Sequence, residues 1–397
     1  MVVKTVAEET QDFSLVLGGP LYQLALRSGL IRPRPPAGHI GSRIGAITLL
    51  AWLPLAVLAA IGGRFAAGVK VPFIYDFEVQ SRLLFALPLM VLAELVVYTR
   101  MRALTSQFTE RQIITDAVRP AFNAAISSAM RLRNSIAVEV ALLIIVFGAG
   151  SFFWGATVAL RSDTWYATVT GSGLSYTSAG YWYRFVSVPV FQFILLRWYF
   201  RVFIWSRFLF QVSRLDLNLV PLHPDRCCGL GFLGNVATAF APLLMAHSGL
   251  VAGFIANRII HEGAKLPDYK FELVAMAVFL LLIVLGPLCV FVPKLNETRL
   301  KGLRTYGRLA SDYVTGFAAK WSSAGSVPGE PLLGSADIQS LADLDGSFSI
   351  IREMKLAPFG KENVIRFLVI IALPLSPLLL TMFSAEELLK RLFSVLL

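Results

Sequence analysis

Apolar residues in this chain gather in blocks long enough to cross a bilayer, at about 43–62, 83–99, 136–160, 182–206, 231–257, 273–293 and 364–383. About 20 apolar residues span the hydrocarbon core as a helix. The pattern therefore predicts an all-α polytopic membrane protein with about seven transmembrane helices. Pro374 and Pro377 interrupt the last block, so a re-entrant segment is the alternative there.

Between the blocks the period stays helical while the polarity rises. From Arg100 to Arg133, Ile113, Ile114, Ala117 and Ala121 recur at helical intervals, with an interruption expected at Pro120. The sixth block continues to about Trp321 through Leu295, Leu300, Leu303, Leu309 and Tyr313, set among basic residues. Ser322–Gly334 is rich in Ser, Gly and Pro and reads as a linker. After a capping Ser335, Ile338, Leu341, Leu344, Phe348, Ile351 and Met354 step by three or four, which makes one apolar helix face.

The organisation that follows has four parts. Residues 1–42 form an N-terminal segment with a short interfacial helix at Leu21–Ser28, and 43–293 a six-span membrane domain with a helical extension at 100–133. Residues 294–362 form a helical layer outside the bilayer, and 363–397 the last span or re-entrant segment plus an amphipathic tail. The aromatic, nearly uncharged stretch 162–181 reads as a hairpin or an interface-hugging loop, with Trp165, Tyr166, Tyr181 and Trp182 at headgroup depth. No internal repeat is evident, unlike the matching halves of many transporters.

Composition agrees with the pattern. Hydrophobic residues make up 56% of the chain and charged residues 15%, with a mean hydropathy of +0.67. A soluble domain sits nearer roughly 45–50% and about 25%. The net charge of +11 does not point to nucleic acid, because the basic residues flank the apolar blocks. Of the 36 lysines and arginines, 24 fall on one side of the predicted topology and 9 on the other. That asymmetry places the N-terminus in the cytoplasm and the protein in the cell (inner or plasma) membrane. The N-terminal acids Glu8, Glu9 and Asp12 do not fit a cleavable signal. Cys227 and Cys228 fall on the cytoplasmic side, so no disulfide framework is expected.

Candidate chemistry lies in ionisable residues inside spans, which are costly there. Glu94, Glu139, Arg197 and Arg201 are expected at one depth in the inner half, as an ion-selecting vestibule or as an ion-pair lock between helices. Arginine spacings of 13, 4 and 6 from Arg184 to Arg207 exclude a voltage-sensor helix. His247 sits mid-span beside Ala246, Ser248 and Gly249, either as a proton-relaying group or as a packed, hydrogen-bonded one. A haem pair would need a second membrane histidine, whereas His39, His223 and His261 fall in loops.

The densest polar motif is the loop 222–232, with His223, Asp225, Arg226, Gly229 and Gly231, and Asp216 upstream. The adjacent Cys227 and Cys228 lack the spacing of a metal-ligand pair. The two glycines could let the backbone approach an anion. Otherwise Asp225 caps the next helix in a tight turn while Arg226 meets lipid phosphate. No Walker loop, zincin motif or nucleophile triad is found. The expected function is a channel or transporter for an ion or small solute, with no cofactor and no metal. Its pathway would use Glu94, Glu139, Arg197, Arg201 and His247. The alternatives are a membrane-embedded enzyme or cofactor binder using the 223–231 loop, and a non-catalytic scaffold. Expected partners are the lipid bilayer, an ion or small solute, a second copy of the chain, and a cytoplasmic protein docked on the 335–354 helix.

Overall fold

The computed structural model describes residues 13–16, 18, 40–150, 163–170, 173–322 and 335–382. Among them are nine helices: α1 Ile40–Ile61, α2 Phe77–Glu110, α3 Arg119–Arg133, α4 Ile136–Gly148, α5 Ser178–Ser213, α6 Phe232–Glu262, α7 Leu266–Trp321, α8 Ala336–Arg352 and α9 Lys361–Met382. Six of these, α1, α2, α5, α6, α7 and α9, are long and apolar enough to cross a bilayer, so the chain is a multi-pass membrane protein. The expected interfacial helix Leu21–Ser28, the second half of the 136–160 block, most of the Ser322–Gly334 linker and the tail beyond 382 lie outside the described residues.

Local chemistry explains several boundaries. Asp76 caps α2, its carboxylate accepting from the Val79 N–H at 3.2 Å, and Thr177 caps α5 in the same way from Gly180 at 3.0 Å. Gly263 ends α6 with φ +71°, a left-handed conformation that suits glycine. Pro120 does not interrupt a helix: α2 stops at Glu110, the chain turns through Gln112, and Pro120 stands in the first turn of α3. A proline there forfeits no intrahelical hydrogen bond. In α9 the last ten residues, Leu373–Met382, tighten into a 3₁₀ helix around Pro374 and Pro377.

The core is built around α6, whose apolar window is 56% buried against 22% for α1 and for α7. Small residues permit this. A Cβ at Gly253 would lie 2.7 Å from the Phe77 carbonyl oxygen, so α6 and α2 cross with backbones in near contact. The Ser81 hydroxyl donates to the Gly249 carbonyl, and the Ser248 hydroxyl to the Ile371 carbonyl of α9. The Trp198 indole of α5 donates to the Met90 carbonyl of α2 at 2.9 Å. Apolar groups predominate on the outside of the bundle, for example Ile61, Phe271 and Leu282, as lipid-facing surfaces require.

One end of the bundle carries an antiparallel hairpin, β1 Ala167–Thr170 with β2 Gly173–Tyr176, in register Ala167↔Tyr176. Trp165 and Tyr166 beside it are buried within the protein, whereas Tyr181 is exposed. Trp165 stacks edge-on to Phe73 at 4.9 Å, because the hairpin folds over the bundle end. The opposite end, the layer end, carries α3 packed on α5, and α8 packed along the second half of α7. The apolar face of α8 lies on α7, with Phe348 against Gly307 and Ile351 against Gly302. The Tyr313 hydroxyl donates to the Asp337 carbonyl, and Lys320 and Trp321 donate to its carboxylate at 2.7 and 3.0 Å.

Candidate functional site

The structure brings the four span charges together and adds a fifth. Glu94 of α2 receives Arg201 of α5 on one carboxylate oxygen and Arg43 of α1 on the other, each at 2.7 Å. Glu139, in the first turn of α4, stands 3.8 Å from Arg197. Arg197 and Arg201 are one turn apart, so α5 presents both from one face. The cluster ties α1, α2, α4 and α5 at one depth, midway along α2 and α5. Its side chains are not equally dry. Arg201 is 5% exposed and lies 4.7 Å above the Trp198 ring, whereas Arg197 is 23% and Arg43 31% exposed. Arg43 sits in the first turn of α1 and reads from sequence as a flanking charge; its depth beside Glu94 is the signal that could have placed it.

Arg133, at the end of α3, adjoins the cluster within electrostatic reach of Arg201. Burial, with that neighbouring charge, holds its guanidinium down to about 10, so it remains cationic at neutral pH. It donates to the Ser14 carbonyl of a buried N-terminal strip, Phe13–Val16. Phe13 of that strip packs on Phe208 at 4.5 Å.

His247 does not join these charges. Its Nδ1 is 2.7 Å from the Leu243 carbonyl, which can only accept, so Nδ1 carries the proton. Nε2 then accepts from the Tyr199 hydroxyl at 2.8 Å. Both ring nitrogens are occupied, which favours the packing role.

The 222–232 loop is a tight, strained turn. Arg226, Cys228 and Gly229 have φ of +54°, +55° and +93°. Two non-glycine residues in the left-handed region need compensation. Asp225 supplies it: Oδ1 accepts from the Cys227 and Gly229 N–H groups at 2.8 and 3.1 Å, and Oδ2 from Gly231 at 2.9 Å. His223 Nδ1 stands 2.9 Å from Oδ1. Burial raises the Asp225 pKa, but these hydrogen bonds and His223 outweigh it and hold the carboxyl below its usual range. Arg226 pairs with Glu353 at 2.8 Å, and its carbonyl accepts from the Lys355 N–H at 2.7 Å. Cys227 and Cys228 are buried against the 354–357 segment, and burial pushes both thiols up to about 12. Asp216 is exposed and apart from this turn. Among the described residues no group of three or more His, Cys, Asp or Glu is placed to hold a metal.

A second polar cluster escaped the sequence reading. At the hairpin end, Asp76 is buried and accepts from the Trp165 indole at 2.8 Å and the Asn257 amide at 3.1 Å. Arg82 pairs with Glu78 and donates to the Tyr183 hydroxyl. Arg82 and Tyr183 each lie in a π-helical stretch, Ser81–Ala86 in α2 and Tyr183–Ser187 in α5, and such bulges often mark functional sites. The acid pair Asp76 and Glu78 at a span entrance, with Asn257 inside α6, was the available signal.

No protein-family profile, curated protein or solved structure matches the chain.

Proposed function

We propose that this protein is a channel or transporter for a small anion, gated by the Glu94 cluster. The observation that carries this reading is the imbalance of the cluster. Among the described residues Arg43, Arg197 and Arg201 face Glu94 and Glu139, three cations against two anions, and Arg133 adds a fourth cation beside Arg201. Unbalanced charge inside an apolar bundle is costly, and a permeant anion at this depth would offset it. Arg197 is the natural contact, because it is partly exposed and only loosely held by Glu139. Glu94, gripped from both sides, acts as the lock that ties α1 to α5. His247 supports the wall.

In this reading the chain crosses the cell membrane seven times, the apolar 136–160 block supplying the remaining span. The N-terminus and the helical layer face the cytoplasm, supported by the 24-to-9 distribution of lysine and arginine. The 223–231 turn braces the 353–357 segment that follows α8. The test is radiotracer uptake into proteoliposomes with chloride, nitrate, phosphate and acetate, for wild type and Arg197→Gln. Saturable anion uptake reduced at least tenfold by the substitution supports the proposal. Uptake unchanged by it removes Arg197 from the pathway.

A further inference from the structure

We infer that the crevice between α5 and α7 is a binding site for one glycerophospholipid with an anionic headgroup. Two consecutive hollows lie between these helices. The first, about 460 Å³, is walled by Tyr199 and Phe203 of α5 and Leu282 and Gly286 of α7. The second, about 440 Å³, holds Arg214, Cys289, Lys294 and Glu297. Both helices run toward the layer end, so the apolar hollow lies deeper in the bilayer and the charged one nearer its surface.

The dimensions fit one lipid leaflet. Tyr199 and Arg214 are 15 residues apart on one helix, roughly 22 Å at 1.5 Å per residue. Half a hydrocarbon core is about 15 Å, and the headgroup layer adds the rest. The chemistry grades in the same direction. The Tyr199 hydroxyl is turned away, donating to His247, so the ring is what α5 offers to an acyl chain. At the other end Arg214 and Lys294 against Glu297 leave one net positive charge, which matches a lipid of net charge minus one. A phosphate diester fits beside the guanidinium and ammonium groups, with Glu297 flanking it toward the headgroup alcohol. Free phosphate shares the headgroup chemistry but has nothing to place in the apolar hollow.

Two substitutions probe the two halves separately. Arg214→Gln with Lys294→Gln removes the headgroup charges. Gly286→Leu fills the apolar hollow, where a Cβ meets nothing within 4 Å, so the backbone need not move. The measurement is native mass spectrometry of the full chain in detergent with added phosphatidylglycerol, phosphatidylcholine or inorganic phosphate. A second readout is the alkylation rate of Cys289, which is exposed and lines the charged hollow. The expected result is one retained phosphatidylglycerol, at least tenfold preferred over phosphatidylcholine, that slows Cys289 alkylation. Either substitution set should lower retention about tenfold. Equal retention of both lipids, equal protection by inorganic phosphate alone, or retention unaffected by Gly286→Leu would each overturn the assignment. The site stands apart from the Glu94 cluster, so absence of anion uptake would leave it unaffected.

Discussion

Glu94→Gln is the sharpest perturbation of the lock, because it removes a charge while nearly preserving shape. The wild-type carboxylate satisfies two guanidinium groups at 2.7 Å, and its side chain is 13% exposed. Arg201, at 5% exposure, cannot reach water when the carboxylate charge is lost. Leaving one partner of a buried pair uncompensated costs about 3–5 kcal/mol. Arg43, 31% exposed at the start of α1, can turn outward and resolvate. Its removal falls near the scale of a surface pair, about 1 kcal/mol or less. The two substitutions each break a 2.7 Å contact to the same carboxylate, yet they should differ several-fold in effect. Thermal unfolding of purified protein in detergent measures the difference. Glu94→Gln should melt far lower and express poorly, Arg43→Gln should melt close to wild type, and exchanging Glu94 with Arg201 should recover part of the loss. Equal melting for wild type and Glu94→Gln would refute the reasoning, because it would mean that water already solvates the cluster.

Other expectations concern the packed histidine, the turn and the thiols. His247→Ala orphans the Tyr199 hydroxyl and should cost about 1–3 kcal/mol of stability; a double-mutant cycle with Tyr199→Phe should show coupling near 1 kcal/mol, while the pH dependence of uptake stays unchanged. A shift of that pH profile would instead return His247 to the pathway. The folded-state pKa of Asp225 is depressed, so its contribution is fully present above the unfolded carboxyl value of about 3.9 and is lost as pH falls through the lower folded value. Asp225→Asn should flatten melting against pH in that acidic window and cost about 1.5–3 kcal/mol at neutral pH; an unaltered acid limb would contradict this. Maleimide should label Cys289 and spare Cys227 and Cys228 until the protein is denatured, as read by peptide mass spectrometry. Early labelling of the pair would show that the turn is open.

Six of the seven expected spans were legible because hydropathy over 20 residues is a strong local signal, and the helical period of α8 because Ile338, Leu341, Leu344, Phe348 and Ile351 hold it. Glu94 and Arg201 could be paired by depth alone. Arg43 could not, because a charge at a helix start reads as a loop charge whether it faces lipid headgroups or a buried carboxylate. The burial of Trp165 and Tyr166 was hidden for a related reason: an aromatic in a polar loop has the same composition whether or not the fold covers it. The hairpin-end cluster rests on Asp76, Asn257 and Trp165, separated by about 90 residues each, and on π-helical stretches that leave no mark in periodicity. The strained 226–229 turn was visible as a motif, but its cause, three N–H groups converging on Asp225, appears only in three dimensions.

Ion selectivity in sealed vesicles tests the central claim most directly. Proteoliposomes loaded with potassium chloride would be followed with chloride and potassium electrodes in parallel, wild type beside Arg197→Gln. The expected result is chloride efflux well above that of protein-free vesicles, potassium efflux at background, and loss of the chloride signal in the variant. Potassium efflux matching or exceeding chloride, or background efflux of both from folded protein across the anion panel, would contradict anion transport through the Glu94 cluster.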